Sequence, residues 1–173
     1  MAHVVFLRAA NVGGKNVFRP AQFAAALTHL GTVNVGAAGT FVVRASATSN
    51  AIREEITTRL PFVCEMVIRP ADEVRTLVSG QPFNGVTFTR DLRGWVAALC
   101  DKPIKKPKLP LLLPAPGEWA MRVDYIDGAF ALGIWRRPRA KMVMPSKAIE
   151  QALGVPATVR WWETYEKISR AIG

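Results

Sequence analysis

The sequence predicts an α+β protein built in two parts. Three observations carry that reading. The chain opens on a short β-branched, aromatic run, "HVVFL". Two amphipathic helical stretches then alternate with strand-like segments over residues 1–70, and a turn-centred pair of alternating strands occupies 118–137. At 173 residues the chain is long for one small domain and short for two full ones. Half of its residues are hydrophobic, enough for a sizeable core.

"HVVFLRA" reads as the first strand, ended by turn residues. After the loop "RAANVGGKN", "PAQFAAALTHLG" reads as a helix. Pro20 suits its first position, where a missing N–H costs nothing. Phe23, Ala26, Leu27 and Leu30 fall on one face, and Gly31 is placed to end the helix in a left-handed conformation. "TVNV" and "TFVVRA" follow as two strands around "GAAG". Ser49 is the expected N-cap of a helix carrying Ile52, Ile56 and Leu60, with Glu54 and Glu55 early and Pro61 as its stop. "FVCEMVIR" alternates with strand period, and "PADEVRTLVSG" forms a third helix. The order β-α-β-β-α-β is that of the ferredoxin-like unit.

The second part is expected to be smaller, α+β, with a β-hairpin and C-terminal helices. "GWVAALC" is a strand, and "DKPIKKPKLPLLLPAPG" reads as a Pro-rich connection. Asp127-Gly128 reads as a type I′ turn pairing Tyr125 with Phe130, Val123 with Leu132 and Met121 with Ile134 on one face. A helix at "PSKAIEQALG", an extended "ATVR" and a terminal helix from "WWETYEKISRAI" close the chain. The expected division is a ferredoxin-like subdomain over 1–80 and a second subdomain over 81–173 packed on the first.

Charge narrows the function classes. The net charge is +10, unevenly spread: residues 1–85 hold eight Lys/Arg against five Asp/Glu, and residues 86–173 hold fifteen against eight. Such a field favours nucleic acid, nucleotides or other anions, while general solubility is the competing explanation. Two cysteines, Cys64 and Cys100, make no disulfide framework and are expected as buried, reduced thiols. The N-terminus lacks the basic region and cleavage site of a signal peptide, and "LPLLLPAPG" is too short to cross a bilayer. A soluble cytoplasmic protein, with no membrane association, is the expectation.

The opening loop and the C-terminal segment together resemble the domain-of-unknown-function 1697 family. Its N-terminal signature, R-G-x-N-V-G-G-x-N, is matched by "RAANVGGKN". Its C-terminal signature, S-K-x(n)-L-G-V-x-A-T-T-R-N-W-N-T-x-x-K, is matched by "PSKAIEQALGVPATVRWWETYEK", and "QPF" resembles its N-P-F. The resemblance implies an α+β fold of two halves, the first ferredoxin-like, and no established activity. The chain departs from the pattern at Ala38-Gly39-Thr40, Val159 and Trp161, where polar side chains of the family are lost. Any site formed there is implied to be weakened or altered.

Three candidate sites follow. Gly13 and Gly14, with Arg8, Asn11, Lys15, Asn16 and Arg160, form a candidate anion site, because successive backbone N–H groups can make an anion nest. The same glycines equally serve a sharp turn whose backbone Asn11 and Asn16 satisfy internally. The loop has neither P-loop nor G-x-G-x-x-G spacing. Arg160 beside Trp161 and Trp162 suits stacking on a base or phosphate, although core packing suits Trp162 better. Two basic clusters form a candidate nucleic-acid surface: Lys102, Lys105, Lys106 and Lys108, and Arg136, Arg137, Arg139 and Lys141. A solvated basic loop is the alternative for each.

Catalysis has little support. His3 and His29 have no triad-like neighbours, and no group of residues has metal-ligand spacing. No cofactor is expected. The functional reading is a binding protein for a phosphorylated or nucleic-acid ligand. The alternatives are an enzyme acting on a small anionic metabolite, with Arg8, Asn11, Lys15 and Arg160 polarising it, and a structural adaptor without ligand.

Overall fold

β1 (His3–Leu7) is buried at every position, which explains why its sequence shows no alternation. In the computed structural model, which describes residues 1–138 and 143–173, this strand lies between β3 (Thr40–Val43) and β4 (Met66–Pro70). β2 (Thr32–Asn34) completes a sheet of order β2-β3-β1-β4, with every pairing antiparallel. Val5, Leu7, Phe41, Val43 and Met66 form one apolar face of this sheet. Against them pack Phe23 and Ala24 of α1 (Pro20–Ala26), Leu27, and Ile52 and Ile56 of α2 (Ser49–Arg59). The element order is β1-α1-β2-β3-α2-β4, followed by α3 (Ala71–Ser79).

Local chemistry moved three boundaries. α1 stops at Ala26, and a single 3-10 turn over Thr28–Leu30 carries the chain to Gly31, left-handed at φ 60°. The N-cap of α2 is Thr48, not Ser49: its hydroxyl accepts from the Ala51 N–H at 3.2 Å. β4 begins at Met66, not Phe62, because β1 offers pairing partners only to residues 66–70. Val63, expected inside that strand, is 95% exposed.

The chain forms two compact units: Met1–Pro82 with Thr164–Gly173, and Phe83–Glu163. α5 (Trp162–Ile172) therefore contributes most of its length to the first unit. There Tyr165 stacks on Phe6 at 5.6 Å, and Arg44 and Arg75 donate to the Ala171 and Gly173 carbonyls.

The second unit holds a five-stranded antiparallel sheet of order β6-β7-β8-β5-β9. Its strands are β5 (Leu92–Leu99), β6 (Leu111–Leu113), β7 (Met121–Ile126), β8 (Phe130–Arg136) and β9 (Ala157–Trp161). β6 lies within the segment expected as plain connection. Ile149 and Leu153 of α4 (Pro145–Leu153), four residues apart, pack on Trp95, Ala97, Leu99, Met121, Val123 and Ala131. Two sheets and five helices among the described residues make this an α+β fold.

The β7–β8 hairpin forms, in a different register from the one expected. The Asp127 carboxylate accepts from the Ala129 and Phe130 N–H groups, both at 2.6 Å, and the Asp127 N–H donates to the Phe130 carbonyl at 2.9 Å. That side-chain bonding centres the turn on Gly128-Ala129, and Gly128 does not take a left-handed φ. A bulge between Val123 and Tyr125 then shifts the pairing again. Met121 and Val123 consequently share a face with Ala131 and Trp135, while Phe130, Leu132 and Ile134 turn to the opposite face. At the bulge β7 crowds Gly133 of β8, where a Cβ would overlap the Arg122 carbonyl.

The thiol expectation also changes: Cys100 is exposed and Cys64 half-buried, both unbridged.

Gly133→Ala should destabilise the second unit by about 2 kcal/mol or more, because backbone has to move to admit one methyl. Gly128→Val should change stability by less than about 0.5 kcal/mol, since its Cβ meets only the Lys102 stem, at 3.7 Å. Urea denaturation of both variants measures the contrast. Equal losses would contradict the register described here.

Candidate functional site

The loop 8–16 is a miniature hairpin. Val12 and Lys15 form an antiparallel bridge, the Lys15 N–H donates to the Val12 carbonyl at 3.1 Å, and the Asn11 N–H donates to the Asn16 carbonyl at 3.1 Å. Gly13 and Gly14 stand at its tip with φ of 58° and 73°, the two left-handed positions of a type I′ turn. Asn11 and Asn16 are also left-handed, at 54° and 51°, which asparagine tolerates better than most residues. Their side chains point inward: Asn11 Nδ2 donates to the Ala37 carbonyl at 2.8 Å and its Oδ1 accepts from the Phe18 N–H at 2.9 Å. Asn16 Nδ2 reaches the Ala9 carbonyl at 3.2 Å.

The loop's cations are divided. Arg8 forms an ion pair with Glu65, and Lys15 is exposed near the glycine tip. α1, seven residues long, starts at Pro20, six residues beyond Gly14, so its dipole does not serve the tip. The internal bonding is what holds this loop, which lies in the first unit.

Arg160 lies in the second unit, on edge strand β9. Its Nη1 donates to the Thr158 hydroxyl at 2.7 Å and to the Val159 carbonyl at 3.0 Å. The two tryptophans beside it separate to opposite tasks. Trp162 is buried edge-on against Phe83 of "QPF" at 5.1 Å. Trp161 stays half-buried, 5.5 Å from Trp135, with the Arg93 guanidinium 4.1 Å over its ring. Arg93 in turn pairs with Glu163 at 3.3 Å.

The lysine cluster has the most open geometry. α4 ends at Leu153, with Gly154 left-handed at φ 74°. The N–H groups of Ile104 and Lys105 both donate to the Leu153 carbonyl, at 3.0 and 2.9 Å. Lys105 Nζ donates to the Gln151 carbonyl at 2.9 Å, placing an ammonium at the negative end of the helix dipole. Pro103 and Pro107 prevent the loop itself from coiling. Lys102, Lys106 and Lys108 remain exposed, and none has an acidic partner among the described residues.

Beneath the loop lies a cleft of about 480 Å³, lined by Lys102, Lys105 and Lys106, by Pro103, Pro107, Leu109 and Ile126, and by Asp127 and Gly128 of the hairpin turn. Most of its floor is apolar. The Asp127 carboxylate is largely occupied by the turn, and its charge pushes the Tyr125 phenol up. Leu109, Ile126 and Gly128 carry no sequence signal as site residues. They reach the lysines only through the register of β7 and the capping of α4.

The second basic cluster is more engaged. The Arg136 guanidinium sits 3.9 Å over the Trp119 ring, with Nε donating to the Trp119 carbonyl at 2.6 Å, and Arg137 pairs with Asp91 at 3.0 Å. Arg139 and Lys141 lie outside the described residues. Among the described residues no His, Cys, Asp or Glu cluster is arranged to hold a metal, and no helix is long and apolar enough to cross a membrane.

Asn11→Ala should cost the first unit about 2 kcal/mol, through two lost side-chain hydrogen bonds, whereas Lys15→Ala should cost less than about 0.5 kcal/mol. Thermal unfolding of the two variants decides; equal stability would show that the asparagine bonds do not hold the loop.

A family model described as a protein of unknown function (DUF1697) matches residues 1–119, which include the N-terminal hairpin and the lysine cluster but not the C-terminal signature. No curated protein matches the chain. Among solved structures it is similar to a conserved bacterial protein from Streptococcus pneumoniae, at 16% identity and a TM-score of 0.60, covering 99% of this chain and 98% of that one. Identity that low speaks to fold alone. With well over half of its length matched by the family model, the chain belongs to the DUF1697 family of proteins of unknown function.

Proposed function

We propose that the second unit binds a nucleic-acid or phosphorylated ligand through the lysine loop 102–108. The observation that carries this reading is that Lys102, Lys106 and Lys108 stand exposed, without acidic partners among the described residues, and that Lys102 and Lys106 line a cleft with an apolar floor. Cations left unmatched in the folded state attract polyanions and release counterions when phosphates replace them. The excess of fifteen Lys/Arg over eight Asp/Glu in residues 86–173 adds a long-range attraction to the same half.

The lysines differ in role. Lys105 caps α4, so its charge is shared with the fold. Arg136 and Arg137 are held by Trp119 and Asp91. Binding of this kind has little sequence preference, because point charges on flexible stems read phosphates and not base edges.

A fluorescent single-stranded oligonucleotide titrated against the protein at several salt concentrations tests the reading. Changing Lys102, Lys106 and Lys108 to Gln should lower the slope of log K against log salt by about 2, at about 0.7 per lost contact on a single strand. Arg136→Gln should instead lower the melting temperature and leave the slope unchanged. Absence of binding at low salt, or an unchanged slope in the triple variant, would remove the proposal.

A further inference from the structure

The cleft beneath the loop has a shape and chemistry beyond that of a surface that tracks phosphates. We propose that it is a nucleotide site, in which a nucleobase rests on Pro103, Pro107, Leu109 and Ile126 and the phosphate meets Lys102 and Lys106. This inference rests on the lysine-loop reading and narrows it to one chemical class.

Three features select that class. The volume of about 480 Å³ falls in the range of small-molecule sites, so an inorganic anion alone would leave most of it empty. The floor is built from two proline rings and two aliphatic side chains, a surface that favours a flat, weakly polar body. The lining is polar at few places: Lys102 and Lys106, Lys105, which caps α4, and the Asp127 carboxylate. Asp127 Oδ1 is taken by the turn, while Oδ2 accepts from the Tyr125 hydroxyl at a long 3.4 Å and keeps room for a donor. An anion on a ring that also carries N–H donors satisfies both signs. A fatty acid or a bare phosphate meets the lysines but brings no ring N–H for Asp127 Oδ2.

Gly128 allows the cleft to be closed without substituting a lysine. It lies in the lining, its φ is not left-handed, and a Cβ there meets only the Lys102 stem, at 3.7 and 4.0 Å. A phenyl ring at this position occupies the space of the nucleobase. Gly128→Ala, which adds one methyl, is the matched control.

Isothermal titration with adenosine 5′-monophosphate, with inorganic phosphate, and with single-stranded and duplex oligonucleotides is the test. The nucleotide should bind at least tenfold tighter than phosphate. Gly128→Phe should abolish that binding, Gly128→Ala should keep it, and the salt slope for oligonucleotides should not change in either. Single strands bound tighter than duplex, with the difference lost in Gly128→Phe, identify an unpaired nucleotide of a strand as the occupant. Equal binding of both identifies the free nucleotide. Saturation-transfer NMR on the unaltered protein supplies a readout independent of how the variant folds: adenine protons should receive saturation from the protein's methyl groups. Nucleotide bound no tighter than phosphate, no transfer to the adenine ring, or full binding by folded Gly128→Phe overturns the site. Oligonucleotide binding that persists with a steep salt slope in any of those cases leaves the lysine-loop reading intact, and loss of all binding at low salt removes both.

Discussion

An α-helix leaves its last carbonyls without partners, and in α4 the Leu153 carbonyl is met by two amides from the same loop, those of Ile104 and Lys105. The placement of the second unit's basic surface depends on that capping. Residues 101–110 contain three prolines and four lysines, a composition that builds neither helix nor strand by itself. The segment is pinned at 104 and 105, and Lys102 and Lys106, before and after those points in the chain, both line the cleft. The Lys105 ammonium on the Gln151 carbonyl strengthens the same attachment. One lysine thus serves the fold so that its neighbours can face solvent.

The opposite face of the cleft is set by β7. Its bulge and the carboxylate of Asp127 decide which residues the hairpin turn presents, and Gly133 is the residue that permits the bulge. A one-residue slip would turn Ile126 away from the lysines and leave the loop over a different surface. The glycine-rich loop of the first unit contrasts with this arrangement. There the unusual residues answer to backbone geometry: four left-handed positions in six residues, secured by the Asn11 and Asn16 side chains. Glycine and asparagine ease the left-handed backbone at Asn11, Gly13, Gly14 and Asn16 whether or not an anion ever visits the tip.

Much of the first unit was legible because its segments carry one period each. Phe23 with Leu27, and Ile52 with Ile56, mark helix faces directly, and "TFVV" between turn residues marks a buried strand. The hairpin was legible only as a hairpin. Asp127-Gly128 favours a type I′ turn by composition, yet the aspartate side chain bonds the Ala129 and Phe130 N–H groups and moves the turn, and a bulge has no signature in alternating apolar strands. The lysines were visible as a run, while their division into capping and exposed residues was not, since it depends on a helix more than forty residues later. The floor of the cleft was invisible for the same reason: Ile126 and Gly128 come to line one cleft with Pro103 and Pro107 only in the folded unit.

The central claim is one of location: an anionic ligand of this protein meets residues 102–108. Amide chemical-shift mapping with a short single-stranded oligonucleotide at low salt tests it most directly. The account predicts perturbations concentrated at Lys102, Lys106, Lys108 and the facing turn at Asp127 and Gly128, with the Gly13 and Gly14 amides unmoved. Perturbations centred on Gly13, Gly14 and Lys15, or on Arg160, would contradict it.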